Sequence, residues 1–240
     1  MIPWNNLILY TMAATLTAAA PAHDALDDKI DDLLRQMTIA EKVGQLNQID
    51  GSANAPDLDA QAKAGTIGSI LNVKDVRAAN ALQRSAVEGS RLGIPLVFAR
   101  DVIHGYKTIF PIPLGQAATW NPGLAEQGAR IAAREATAAG IRWTFAPMID
   151  VARDPRWGRV AESCGEDPVL TSAFGVAMIR GFQGQDLSAP DSLAACAKHF
   201  AGYGAAEAGK DYSTTWIPEV QLRDVYLPPF HAAARAGVAS

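Results

Sequence analysis

Apolar positions along the chain switch between helical and strand spacing several times. Leu26, Ile30, Leu33, Leu34 and Met37 recur at three- and four-residue intervals, which predicts an amphipathic helix. Thr38 followed by Glu41 has the spacing of a capping box and predicts a second short helix. Residues 66–71 form a compact apolar run suited to a buried strand. Asp75 then heads a helix whose Val76, Ala79, Gln83 and Ala86 share one face until Gly93. Residues 94–99 are apolar without alternation, as in a strand covered on both faces. Asn121-Pro122 and Asp167-Pro168 each place a capping side chain before a proline at the first helical position. The first opens a helix closed by Gly140, before a strand over 141–147. The second opens a helix with an apolar face of Val169, Leu170, Ala173, Phe174, Ala177 and Met178. Residues 193–200 give a fourth strand and 221–236 a helix bent at Pro228-Pro229. Gly237-Val238 begins a fifth strand.

Strands alternating with helices imply parallel β-α units. A doubly wound sheet would carry a glycine-rich phosphate turn after its first strand, and none follows Leu71 or Phe98. The fold class is therefore α/β, a TIM-barrel-like (β/α)8 domain. It is incomplete, with about five to six of the eight units and four strands plus the start of a fifth legible.

The 240 residues are 49% apolar and 19% charged, a globular composition. Lys plus Arg is 21 against 25 for Asp plus Glu, a net charge of −4 with no run of five like charges. The chain thus lacks the basic face that nucleic acid requires. Leu7 to Ala22 is uncharged and ends in Ala20-Pro21-Ala22. That pattern predicts a signal peptide over 1–22, although no Lys or Arg precedes it. The run is too short for a membrane span of about 20 residues. Residues 23–240 are then the domain, and the location is secreted or periplasmic. Cys164 and Cys196 are too few for a disulfide framework, and their pairing stays open.

In a barrel, chemistry gathers at the carboxyl ends of the strands. Asp101 directly follows the strand ending at Arg100, a long loop runs from Asp150 to Arg159, and the fourth strand ends in Lys198-His199. Beyond it lie Gly202-Tyr-Gly204 and Lys210-Asp211-Tyr212. A fixed carboxylate, the donors Arg159, Lys198 and His199, and the aromatic surfaces Tyr106, Trp157, Tyr203 and Tyr212 suit a sugar ring. Its hydroxyls both donate and accept, and charge-assisted bonds of this kind are worth about 1.5 to 3 kcal/mol each. Asp101 has a second reading, as the ion-pair partner of Arg100 or Lys107. Arg153, Asp154, Arg156, Glu162 and Glu166 read as a loop-stabilising ion network, and His104 and His231 as structural or exposed. No HxH or HxxxH spacing supports a metal, and no cofactor is expected.

Three segments carry a resemblance. They are Gly93-Ile-Pro-Leu-Val-Phe-Ala-Arg-Asp101-Val-Ile-His-Gly105, Asp154-Pro-Arg-Trp-Gly-Arg159-Val-Ala-Glu-Ser-Cys-Gly-Glu-Asp-Pro168 and Lys198-His-Phe-Ala-Gly-Tyr-Gly204. From about Lys29 to Ser240 the chain resembles the N-terminal domain of glycoside hydrolase family 3 β-glucosidases and β-xylosidases. The resemblance implies that Asp101, Arg159, Lys198 and His199 hold hydroxyls of the non-reducing-end glycosyl unit, with Asp211 near the same subsite. It implies an exo-acting, retaining β-glycosidase acting on a β-linked oligosaccharide or an aryl or alkyl β-glycoside. It also implies that the nucleophile, an aspartate in a Ser-Asp-Trp-like segment, and the acid/base both lie beyond Ser240, so the 240 residues alone would be inactive. The N-acetylglucosaminidase branch has Lys-His-Phe-Pro-Gly-His-Gly where Tyr203 stands here, which favours the glucosidase or xylosidase branch. Two other functions remain as readings, a non-catalytic sugar-binding module and a Schiff-base lyase through Lys198.

Overall fold

The computed structural model describes residues 25–52, 57–73 and 75–240. The leader expected over 1–22 lies outside them. The described residues divide into two compact units, 25–37 and 38–240. In the first, helix α1 (Ala25–Gln36) forms where the apolar spacing predicts it, with Leu26, Ile30 and Leu34 largely exposed.

The second unit opens with helix α2 (Ile39–Gln45), capped as the Thr38/Glu41 spacing predicts. The Thr38 hydroxyl accepts from Glu41 N at 3.2 Å, and Glu41 Oε2 accepts from Thr38 N at 2.8 Å. Strand β1 (Gln48–Asp50) follows. The sequence pattern does not reveal it, because Ile49 is its only apolar residue. Helix α3 (Leu58–Ala64) leads to strand β2 (Ser69–Leu71), the C-terminal half of the apolar run over 66–71. Helix α4 (Val76–Gly89) is capped by Asp75, whose side chain accepts from Ala78 N. It ends at Gly89, four residues before the predicted Gly93, and is followed by Ser90, whose hydroxyl accepts from Gly93 N at 3.1 Å.

Strand β3 (Val97–Arg100), helix α5 (Pro113–Ala117), helix α6 (Pro122–Ala138) and strand β4 (Trp143–Thr144) come next. Helix α7 (Pro168–Gln183), helix α8 (Glu219–Gln221) and helix α9 (Pro228–Arg235) complete the set. Asn121 and Asp167 cap α6 and α7 as predicted. A single wide helical turn over Leu222–Tyr226 joins α8 to α9, with right-handed helical backbone at Leu222 and Leu227, just before the predicted bend at Pro228-Pro229.

The four strands form one parallel sheet in the order β1-β2-β3-β4. Each strand adds beside its predecessor, whereas a doubly wound sheet reverses direction, so the topology is that of a barrel wall. Backbone bonds extend the wall. Thr144 N donates to Ala194 O at 2.8 Å, and Ile149 N donates to Lys198 O at 2.8 Å. Ser240 N then donates to Ala195 O at 3.1 Å, and Ala197 N donates to Ser240 O at 2.9 Å. The predicted fourth strand is therefore present as isolated bridges at Ala194 and Lys198. Its neighbour offers no N–H at Pro147 to continue the ladder. Ser240 begins the next strand position.

Helix α7 packs against both α6 and α9, which explains why it is apolar on more than one face. Phe174, Met178, Ile179 and Phe182 are buried, together with an alanine face on α6 that includes Ala129, Ala132, Ala133 and Ala136. Val169 and Ala173, expected on the buried face, point to solvent in the first turns. Ile179 and Phe182 fill the core further along.

Candidate functional site

Asp101 leaves the end of β3 on a backbone pinned by β4, where the buried Thr144 hydroxyl accepts from Val102 N at 3.1 Å. Neither basic residue near it in sequence is its partner. The Arg100 guanidinium lies 5.8 Å from the Tyr106 ring centroid, and the backbone N–H of Lys107 donates to Glu135 at 2.8 Å. Instead Lys198 Nζ donates to Asp101 Oδ1 at 2.5 Å. The lysine side chain is 13% exposed and the aspartate side chain 46%. The ammonium group is thus drawn from the sheet toward an accessible carboxylate.

His199 is held from below by a residue with no role in the sequence reading. Asp150 Oδ2 lies 2.9 Å from His199 N and 2.8 Å from His199 Nδ1, on a side chain with no solvent exposure. The signal was available, because Asp150 ends the apolar run over 141–149 just as Asp101 ends its own strand. On its other edge the imidazole meets Arg159, with Nη1 3.3 Å from Nε2.

Glu162 fixes that guanidinium. Arg159 Nε donates to Glu162 Oε2 at 2.6 Å and Nη2 to Oε1 at 2.9 Å, a bidentate pair. Arg159 holds the Glu162 carboxyl below its ordinary range, and the positive charge of Lys198 adds to the effect. Glu162 raises the Arg159 guanidinium in turn. Arg159 also stands 5.4 Å from the Tyr203 ring centroid. Tyr203 OH donates to Asp211 Oδ1 at 2.7 Å, and Trp157 Nε1 donates to the same oxygen at 2.9 Å. These two donors hold the Asp211 carboxyl low. The Tyr203 phenol is pushed up to about 12, by desolvation first and by Asp211 next.

Asp101 and Lys198 therefore form one hydrogen-bonded pair, and His199, Arg159 and Asp211 a second group linked through Tyr203, the two meeting where Lys198 and His199 adjoin in the chain. Trp157 does not offer the sugar-stacking surface expected of it. It is 1% exposed and acts as a buried prop that donates to Asp211. Tyr203 and the exposed Tyr212, with ring centroids 5.8 Å apart, remain as accessible aromatic surface. The supporting loop sits close to the barrel wall, since a Cβ on Gly204 would lie 2.3 Å from Val151 O.

An open cavity of about 420 Å³ is lined by Arg159, His199, Phe200, Gly202, Tyr203, Tyr212 and Thr215, among others. Asp101 and Lys198 are outside this lining and join it through His199. A larger cavity of about 640 Å³ lies between α6 and α7, where Arg130 is paired with Asp191.

Among the described residues no three His, Cys, Asp or Glu side chains cluster as metal ligands. His104 Nδ1 donates to Phe110 O at 2.8 Å. Cys164 and Cys196 are free thiols, and burial pushes Cys164 up to about 12. Among the described residues no helix is long and apolar enough to cross a membrane.

Residues 38–240 match the family model described as "Glycosyl hydrolase family 3 N terminal domain". The chain belongs to glycosyl hydrolase family 3. Among relatives of this family 3 domain, the periplasmic β-glucosidase of Salmonella typhimurium is 41% identical over 216 residues, covering 89% of this chain and 28% of that protein. The lysosomal β-glucosidase of Dictyostelium discoideum is 35% identical, covering 87% and 30%. A β-xylosidase of Formosa agariphila is also 35% identical, covering 90% and 27%. The chain thus spans less than a third of the length of these curated relatives. In the crystal structure of the Listeria innocua β-glucosidase with isofagomine, the matching region has a TM-score of 0.80 and 43% identity, over 88% of this chain and 31% of that one. These relatives agree with the branch to which Tyr203 points in the family 3 motif.

Proposed function

We propose that this family 3 domain is the sugar-holding half of an exported, exo-acting, retaining β-glycosidase that removes terminal β-D-glucosyl or β-D-xylosyl units. The supporting observation is that Arg159 and His199 line the open cavity, with the Asp101–Lys198 pair next to His199 in the chain and Asp211 bonded to Tyr203, which also lines it. Asp101 and Asp211 accept hydrogen bonds from sugar hydroxyls, while Lys198 and Arg159 donate. Asp101, Lys198 and Arg159 each have a protein partner of opposite sign and Asp211 has two neutral donors, so the orientation is set before the sugar arrives and less is lost in ordering side chains. A sugar lacking one hydroxyl leaves a donor or acceptor unpaired, which is how such a site discriminates among polyols. Tyr203 and Tyr212 supply the flat surface for the C–H face of the ring.

In a retaining enzyme a carboxylate attacks the anomeric carbon and a second carboxyl protonates the leaving oxygen, the two lying about 5 to 5.5 Å apart. Segments of the longer protein outside residues 38–240 supply that pair under this reading. The ion pair to Asp101 accounts for Lys198 as a hydroxyl donor, and this favours sugar binding over Schiff-base chemistry. Proton NMR of the first product released from an aryl β-glucoside or β-xyloside by the longer protein tests the proposal. The expected first product is the β-anomer, and release of the α-anomer or absence of hydrolysis of both substrates overturns it.

A further inference from the structure

Asp150 is the one fully buried carboxylate at the site, and both of its described hydrogen bonds go to one residue, His199. The other carboxylate oxygen, Oδ1, is also buried and has no hydrogen-bond partner among the described residues. Burying a carboxylate costs several kcal/mol unless it is paired, so this arrangement constrains His199 strongly. The partners of the imidazole then settle where its proton sits. A guanidinium donates and cannot accept, so the Arg159 Nη1 contact at 3.3 Å requires a lone pair on Nε2. A neutral ring with a lone pair on Nε2 carries its hydrogen on Nδ1, and Asp150 Oδ2 at 2.8 Å accepts it. A doubly protonated ring would turn an N–H toward Arg159, with Lys198 contributing further positive charge and Glu162 and Tyr203 flanking the guanidinium.

We infer that Asp150 is a positioning residue that fixes His199 as the Nδ1–H tautomer, so that Nε2 faces the cavity as a hydrogen-bond acceptor. On the reading of this cavity as a sugar site, a glycosyl hydroxyl takes the place of Arg159 Nη1 on the one Nε2 lone pair, so that His199 joins Asp101 as an acceptor. The hydroxyl in question must then be a donor, and an acceptor-only substituent such as fluorine in its place loses the contact.

The tautomer can be read without any sugar, from long-range ¹⁵N–¹H correlation of the His199 ring in the 240-residue chain. At a pH of about 8, above the ordinary histidine range, Nδ1 is expected to resonate as protonated and Nε2 as unprotonated. The Nδ1–H form should exceed the other by about tenfold or more, as one charge-assisted hydrogen bond would give. Asp150→Leu removes the acceptor and should lower that excess, although Arg159 Nη1 still faces Nε2. An Nε2–H ring in the wild-type chain overturns the inference even if the variant fails to fold, and so does an unchanged tautomer ratio in a folded variant. Failure here leaves the anomer assay standing, and failure of the anomer assay leaves the tautomer measurement standing.

Discussion

Glu162 gives both of its oxygens to Arg159, so the guanidinium reaches the cavity in one orientation. Glu162→Gln removes the charge from that bidentate pair, and a charge-assisted bond is worth about 1.5 to 3 kcal/mol. In the longer enzyme we therefore expect kcat/KM to fall about tenfold or more, with a thermal midpoint close to that of the parent as the check that the fold survives. The pH dependence of stability follows from the shifted groups. The Glu162 and Asp211 carboxyls are lowered, as is Asp154, held at about 2 by Arg156. Their contribution is complete above the unfolded carboxylate range of about 4 and is lost as pH falls toward about 2. Tyr203 is raised to about 12, so its contribution is complete below about 10 and is lost as pH climbs through about 12. Urea melts across pH should show both limbs, and Asp211→Asn should bring the Tyr203 phenol down in an ultraviolet titration. Asp101 and Lys198 could be found from sequence because each polar residue ends an apolar strand. Asp150 met the same criterion but was masked by the charged loop that follows it. The burial of Trp157 was invisible, because an indole in a polar loop looks the same whether it faces a sugar or the core.

Helix ends were the most legible elements. Thr38, Asp75, Asn121 and Asp167 each cap the helix that their spacing announces, because capping chemistry is local and survives any tertiary context. Strands were less legible. The strand β1 has one apolar residue, and the segment over 193–200 pairs only through isolated bridges, since strand pairing depends on partners distant in sequence. Contact between α6 and α7 was not legible either. Gly181 lies where a Cβ would come 2.3 Å from Glu126 O and 2.7 Å from the Ala129 Cβ, so the two helices touch backbone to side chain. Gly181→Ala forces them apart and should cost about 1 to 3 kcal/mol. Denaturant titration reads that cost, and an unchanged midpoint would mean that α7 can shift without penalty. Asp167→Ala should cost about 1 kcal/mol through loss of the α7 cap.

At the scale of the molecule, sequential parallel strands bring the ends of β3 and of the segment over 193–198 to one rim. That is why Asp101 and Lys198, 97 positions apart, share a hydrogen bond. Alternating periodicity was enough to predict this topology, whereas the details of the supporting loops required the structure. The central claim is that one saccharide ring is held by Asp101, Arg159, Lys198 and His199. Its most direct test is kcat/KM of Asp101→Ala in the longer enzyme toward an aryl β-glycoside. We predict a loss of at least about 100-fold, equivalent to about 2.7 kcal/mol of transition-state binding. A loss smaller than about threefold in a correctly folded variant would contradict the account, because a carboxylate in contact with the reacting sugar is worth more than that.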